Sequence, residues 1–275
     1  MNGYGYYKGM FAPIDFIRIP LTDRSFFFGD AVYEVCIGKR NKIYQFKEHK
    51  ERLINSAGML KIKLTDEFSD LENIAHALLK KASYDCFILY VQIARTGDTR
   101  EHSFDETNGS NMLVAVFPSA LPEMAEISLR TEEDRRYRYC NVKTVNLIPA
   151  VMSSYAAKGE GCFETVYVRD GFITECSHSN ILIYKDGSVI SAPPCESVLP
   201  GITRATLIKK AESMGIKVSE RAFTPEELFD ACEVFITSTT KLVRRAVSID
   251  GRRIGGKAEQ LYFSLFSALY ADFDC

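Results

Sequence analysis

The strongest constraint on the fold is a short break near the middle of the chain, Phe117-Pro118-Ser119-Ala120-Leu121-Pro122-Glu123. Its two prolines fix φ and withhold backbone donors, so neither a helix nor a sheet ladder runs through it. A chain of 275 residues is also long for one core and comfortable for two. The reading is two α/β domains, residues 1–117 and 124–275, joined by a linker at 118–123.

Hydrophobic periodicity fills in the halves. Phe87, Leu89, Val91 and Ile93 alternate as a half-buried strand does. The first half reads as strands at 31–37, 42–45, 85–94 and 112–117, with helices at 47–59 and 66–82. The second half reads as strands at 127–130, 163–168, 180–184, 234–238 and 243–249, with helices at 149–157, 203–214 and 258–270. Leu207, Ile208, Ala211 and Met214 recur at helical spacing. Asp170-Gly171 and Asp186-Gly187 sit between apolar runs and predict hairpin turns. Strands and helices mix without strict βαβ alternation, so the class is α/β of the α+β type.

Charge and cysteine content exclude several functions. A net charge of −2 argues against a nucleic-acid partner, which needs a basic excess or stripe. Arg135, Arg136 and Arg138 do cluster, but Glu132, Glu133 and Asp134 precede them, which reads as a solvated, mixed-charge strand end. The eight cysteines (36, 86, 140, 162, 176, 195, 232 and 275) are scattered, without a C-x-x-C pair for zinc or redox work. The four histidines show no metal-ligand spacing, so no metal is expected. No apolar run reaches membrane-spanning length and no signal-peptide pattern opens the chain, so the expectation is a cytoplasmic protein with reduced thiols and no membrane partner. Residues 251–257 read Gly-Arg-Arg-Ile-Gly-Gly-Lys, the spacing of a phosphate-binding P-loop, but Ala258 stands where the magnesium-binding hydroxyl is required. Ser248-Ile249-Asp250-Gly251 reads instead as a strand running into a hairpin turn.

Five segments carry the chemical information. Lys143 lies in the apolar run Asn141-Val142-Lys143-Thr144-Val145-Asn146-Leu147. It is either a lysine snorkelling from a strand end or a partly desolvated amine suited to Schiff-base formation. Glu175, in Thr174-Glu175-Cys176-Ser177-His178-Ser179-Asn180, is either a surface charge at a turn or a carboxylate facing a pyridinium nitrogen. Leu199-Pro200-Gly201-Ile202-Thr203-Arg204 opens a helix. It is an ordinary capped start, or a phosphate seat on the amides of Gly201, Ile202 and Thr203. Arg52, on the helix beginning near Lys47, is a surface residue or a bidentate phosphate ligand. The hydroxyls of Thr237-Ser238-Thr239-Thr240 bond locally or complete a phosphate cup.

Taken in this order, the segments resemble the class IV aminotransferases of pyridoxal phosphate (PLP) fold type IV, from about residue 11 to 256. Asp23-Arg24-Ser25-Phe26 and Phe28-Gly29-Asp30-Ala31-Val32-Tyr33-Glu34 belong to the same pattern. The resemblance implies a two-domain fold with PLP in the cleft between domains, and a homodimer. Lys143, on the second domain, would hold the cofactor covalently and then move a proton between Cα and C4′. Glu175 would pair with the pyridine nitrogen. Arg52, Gly201, Ile202, Thr203, Thr239 and Thr240 would hold the phosphate.

Within the family, D-amino acid aminotransferases are the most similar in pattern. They bind the substrate carboxylate with a tyrosine in the G-D-x-x-Y-E segment and an Arg-x-His pair, which here are Tyr33 and Arg100-Glu101-His102. In the family that loop reaches the neighbouring subunit's site. The implied reaction moves the amino group of a D-amino acid such as D-alanine to a 2-oxo acid such as 2-oxoglutarate. Alternatives are a branched-chain L-amino acid aminotransferase, a lyase of the aminodeoxychorismate type, and a non-catalytic descendant. After Thr240 the chain departs from the family pattern with Lys241-Leu242-Val243-Arg244-Arg245. An added cation at Lys241 would favour acidic substrates.

Overall fold

The computed structural model describes residues 2–97 and 99–273. The chain divides into two compact units. One runs up to Leu121 and takes in the short segment Val142–Asn146, and the other comprises Pro122–Asn141 and the chain from Leu147 on. The sequence reading places Lys143 in the second domain, whereas the fold gathers it into the first unit. The cause is backbone pairing. Tyr33 N donates to Lys143 O at 2.9 Å, Val145 N donates to Ala31 O at 3.2 Å, and Val142 is buried in the first core.

In the first unit, β1 (Tyr4–Tyr7), β2 (Met10–Pro13), β3 (Ala31–Lys39), β4 (Lys42–Ile43), β5 (Cys86–Arg95) and β6 (Ser110–Pro118) form an antiparallel sheet in the order β2-β1-β6-β5-β3-β4. Three helices accompany it: α1 (Arg24–Phe28), α2 (Phe46–Met59) and α3 (Leu71–Ala82). Leu71, Ile74, Ala75, Leu78 and Leu79 make the buried stripe of α3 and meet Leu89, Val91, Val114 and Val116 of the sheet. Each buried leucine, isoleucine or valine stabilises the fold by about 1.5–3 kcal/mol. The expected helix at 66–82 is divided, because Asp66–Asp70 forms a 3-10 turn in which Ser69 Oγ bonds back to Asp66 O at 2.6 Å. The expected strand at 42–45 stops at Ile43, since Gln45 takes φ 50 to open α2.

The second unit holds a nine-stranded mixed sheet. Its strands are β7 (Glu126–Glu133), β8 (Glu164–Arg169), β9 (Phe172–Cys176), β10 (Asn180–Lys185), β11 (Ser188–Ser191), β12 (Lys217–Glu220), β13 (Glu233–Ser238), β14 (Leu242–Ile249) and β15 (Arg252–Arg253). The path is β12-β11-β10-β13-β14-β7-β8-β9, with β15 on β14. The helices are α4 (Ile148–Gly159), α5 (Ile202–Ser213), α6 (Pro225–Phe229) and α7 (Glu259–Tyr270). Asp170-Gly171, Asp186-Gly187 and Asp250-Gly251 all have both φ positive, the conformation of a two-residue hairpin loop. The last of these puts the P-loop-like run on a β-hairpin. No described helix is long and apolar enough to cross a membrane.

Candidate active site

In the first unit the chemistry gathers on β3. Tyr33 and Glu34 are consecutive, so they point to opposite faces. Tyr33 stacks on Tyr90, with centroids 5.8 Å apart, and carries the Lys143 ammonium 4.5 Å above its ring centre. The Lys143 amide is held by Ser56 Oγ of α2 at 3.2 Å. Gly29 ends α1 at φ 62, and a β-carbon there would lie 2.4 Å from Oδ1 of Asn146, whose Nδ2 donates to Gly29 O. Both ends of the lysine segment are thus tied to the first unit.

On the other face, Glu34 is buried and bonds two residues of α2. Its Oε1 accepts Arg52 Nε at 2.6 Å, and its Oε2 accepts Arg52 Nη2 at 2.8 Å and meets His49 Nδ1 at 2.6 Å. Burial alone would push the Glu34 carboxyl up, but the hydrogen bonds from Arg52 and His49 outweigh it and hold the group at about 2. Burial also lowers His49, against the pull of Glu34. Arg52, expected to bind phosphate, therefore points two of its nitrogens at a carboxylate within its own unit.

Arg100 and His102 lie on an exposed loop. The Arg100 guanidinium is 5.5 Å from the Phe28 ring centre, and the His102 ring is 5.1 Å from the same ring. Buried Arg24 secures the loop, donating to Glu101 O at 2.7 Å and His102 O at 3.3 Å while Asp30 anchors its Nε at 2.8 Å. Arg24 stands in the quoted motif, but its service to a loop far along the chain is a long-range contact that local pattern does not reveal.

In the second unit Glu175, on β9, is buried. Its Oε2 accepts Asn180 Nδ2 and the Leu199 amide, each at 3.0 Å, and its Oε1 accepts Arg136 Nη1. Arg136 is in turn gripped by Asp134 through Nε and Nη2, both at 2.9 Å, and lies over the Tyr167 ring. Burial pushes the Glu175 carboxyl up, and Arg136 opposes the push. The expectation of a solvated strand end at 132–138 is corrected here. Glu133, Arg135 and Arg138 are exposed, but Asp134 is buried and Arg136 nearly so, because alternate positions turn inward to Glu175.

Asn180 links this carboxylate to the start of α5. Its Nδ2 also donates to Leu199 O at 3.0 Å, and a β-carbon on Gly201 would fall 1.7 Å from its Oδ1, so the position demands glycine. Gly201 is the N-cap of α5 and offers no capping side chain, which leaves the first-turn amides of Ile202 and Thr203 pointing outward. Thr203 Oγ1 is buried without a hydrogen-bond partner, and so is Thr237 Oγ1 on β13. Amides at a helix start and an orphaned buried hydroxyl suit a phosphate, which would supply the missing acceptor. Thr239, Thr240 and Lys241 follow β13, half-buried, with Lys241 N donating to Ser238 O at 3.3 Å.

Sequence reasoning missed Arg136, Asp134, Asn180, His49 and Arg24 as site residues. A buried acid such as Glu175 requires a cationic or amide partner, and that need was the available signal.

The family model for amino-transferase class IV matches residues 31–249. A D-alanine aminotransferase of Bacillus licheniformis is 33% identical over 243 residues, covering 87% of this chain and 86% of that protein. Among solved structures, a branched-chain aminotransferase of the thermophilic archaeon Thermoproteus uzoniensis with norvaline has a TM-score of 0.87 at 20% identity, covering 98% of this chain and 95% of that one. A putative 4-amino-4-deoxychorismate lyase of Legionella pneumophila has a TM-score of 0.85 at 22% identity, covering 93% and 96%. The two structures share the fold. The family match and the D-alanine relative extend over most of the chain, and on them it belongs to the class IV aminotransferases, the PLP-dependent transaminating enzymes.

Proposed function

We propose that the chain transfers the amino group of D-amino acids, D-alanine among them, to a 2-oxo acid such as 2-oxoglutarate, and works as a homodimer in the cytoplasm. The observation that carries the D-specific reading is the Arg100-x-His102 loop, clamped by Arg24. The guanidinium and imidazole of that loop suit a substrate carboxylate, which in the proposed dimer would lie in the neighbouring subunit's site. The likeness to the D-alanine aminotransferase of Bacillus licheniformis points the same way. Fold likeness to a branched-chain aminotransferase and a lyase supports the scaffold and not their substrates.

PLP, when bound, supplies a carbonyl for the substrate amine and a ring that takes up the electron pair released at Cα. Lys143 Nζ would anchor it and carry the proton to and from Cα. Glu175, made more basic by burial, would hold a proton on the ring nitrogen. The amides of Ile202 and Thr203, with the hydroxyls of Thr203, Thr239 and Thr240, would seat the phosphate. The resemblance gives Arg52 the same ligand, and within the first unit Glu34 fixes its guanidinium through Nε and Nη2.

The dimer reading rests on α4. Ile148 (71% exposed), Val151 (55%), Met152 (60%) and Tyr155 (75%) form one apolar face at helical spacing, which a second copy would cover. The seven described cysteines are unpaired, in keeping with a reducing compartment, and Cys275 lies outside the described residues.

The test is turnover with 2-oxoglutarate as acceptor. D-alanine should be consumed and L-leucine left, and Lys143→Ala should end multiple turnover without unfolding the protein. Consumption of L-leucine with D-alanine untouched would transfer the chain to the branched-chain reading.

A further inference from the structure

We propose that Glu164 is a positioning residue for the cofactor, pinning the turn of residues 176–179 from behind so that Glu175 and Asn180 stay aligned for the ring nitrogen. The inference rests on the transaminase reading, in which Glu175 faces that nitrogen.

Glu164, on β8, has no exposed surface, and three successive residues of the turn between β9 and β10 converge on it. Its carboxylate accepts the His178 amide at 2.5 Å, Ser179 Oγ at 2.9 Å and Ser177 Oγ at 3.4 Å, and His178 Nδ1 lies 3.2 Å away. Backbone bonds close the same turn, Cys176 N to Ser179 O at 2.7 Å and Ser177 N to Thr165 O at 2.9 Å. The turn leads from Glu175 to Asn180, and Asn180 Nδ2 donates back to Glu175 Oε2 at 3.0 Å. A shift of the turn therefore displaces both partners of that bond. Cys176 pairs with Val166, two residues on from Glu164, so Glu164 and Cys176 share one face of the sheet and Glu175 lies on the other. Glu164 thus acts on Glu175 through the turn and not by contact.

Its charge matters beyond its shape. An ionised carboxylate is acceptor-only, which matches an amide and two hydroxyls that all donate to it. Once protonated, it points a donor at one of them, and the turn loosens there. Burial raises this acid to about 7, so at neutral pH the fold carries a charge that costs stability. A group kept against stability is expected where function needs it. The titratable and charged groups around it are few. Cys176, whose thiol burial pushes well up, shares its face, and His178 is half-exposed on the turn. β14 brings Arg244 over the ring of Phe163, the residue before Glu164. β7 offers Leu129, and α4 reaches the cluster through Ser154 Oγ, 3.3 Å from Ser177 Oγ.

The experiment titrates the full chain, freed of cofactor, with PLP at pH 5 and pH 8. The affinity ratio of wild type to Glu164→Gln cancels the titration of PLP itself. Glutamine stands in for the protonated acid, so the two proteins should bind alike at pH 5, and wild type should bind about tenfold more tightly at pH 8. Ser179→Ala removes one donor to the charged form, so it should move the rise in affinity to higher pH. A role in shape alone gives the same ratio at both pH values, and that result overturns the proposal. A rise that Ser179→Ala leaves in place overturns it too, and this readout stands even where Glu164→Gln does not fold. PLP bound by neither protein at either pH removes the transaminase reading and this inference with it, whereas binding at a constant ratio removes the role of Glu164 alone.

Discussion

Glu34 accepts two nitrogens of Arg52, at 2.6 and 2.8 Å, and binds His49 Nδ1 at 2.6 Å, all out of water. Folding therefore lowers this acid from its ordinary 4.5 to about 2. An acid with a depressed folded pKa adds stability that is present above its unfolded pKa and is lost as pH falls through the folded one. Between pH 4.5 and 2 the wild type should lose about 3 kcal/mol from this group. Glu34→Gln should be less stable at pH 7, with the gap closing across that window in denaturant unfolding. A gap that does not change with pH would contradict the assignment.

Glu164 has the opposite sign. It is fully buried, and desolvation raises it to about 7 against hydrogen bonds from the His178 amide, Ser179 and Ser177. A raised acid costs stability as pH climbs from its unfolded value of 4.5 through 7, up to about 3 kcal/mol. Glu164→Gln keeps the acceptor without the charge, so it should gain on wild type between pH 5 and pH 8. Urea unfolding at both values checks this, and equal differences at both would refute it.

Gly201→Ala would bring a β-carbon to 1.7 Å from Asn180 Oδ1. Asn180 cannot yield freely, because its Nδ2 serves both Glu175 and Leu199 O. The variant should lose about 1–3 kcal/mol of stability. It should also bind PLP more weakly, since the displaced loop carries the amides of Ile202 and Thr203. Unchanged melting and PLP titration would show that the loop is not the phosphate seat.

Ile148→Glu combined with Tyr155→Glu places two charges on the apolar face of α4. In sedimentation, wild type should run as a dimer and the double variant as a monomer. A monomeric wild type would remove the dimer proposal.

What could be read in the sequence follows the range of the interactions involved. The stripe of α3 and the Asp-Gly hairpins are local, and periodicity or turn chemistry reveals them. β1 and β2, built from Tyr-Gly-Tyr-Tyr and Met-Phe-Ala-Pro, carry no alternating pattern; β1 is placed by its pairing with distant β6, and β2 by its pairing with β1. Lys143 stood out as a chemical candidate, yet its unit is decided by backbone bonds to β3 far upstream. Arg136 and Asp134 were hidden inside a run of charges, where only the partner at Glu175 distinguishes a buried ion pair from a solvated face. Arg52 was legible as a cation on α2, but its partner Glu34 was not.

The most direct test of the central claim is the visible spectrum of the purified protein supplied with PLP, recorded before and after D-alanine and, separately, L-leucine. The account predicts a band from cofactor bound at Lys143 that shifts to the amine form with D-alanine alone. A shift with L-leucine alone would contradict the stereochemistry, and no bound band at all would contradict the cofactor assignment to Lys143.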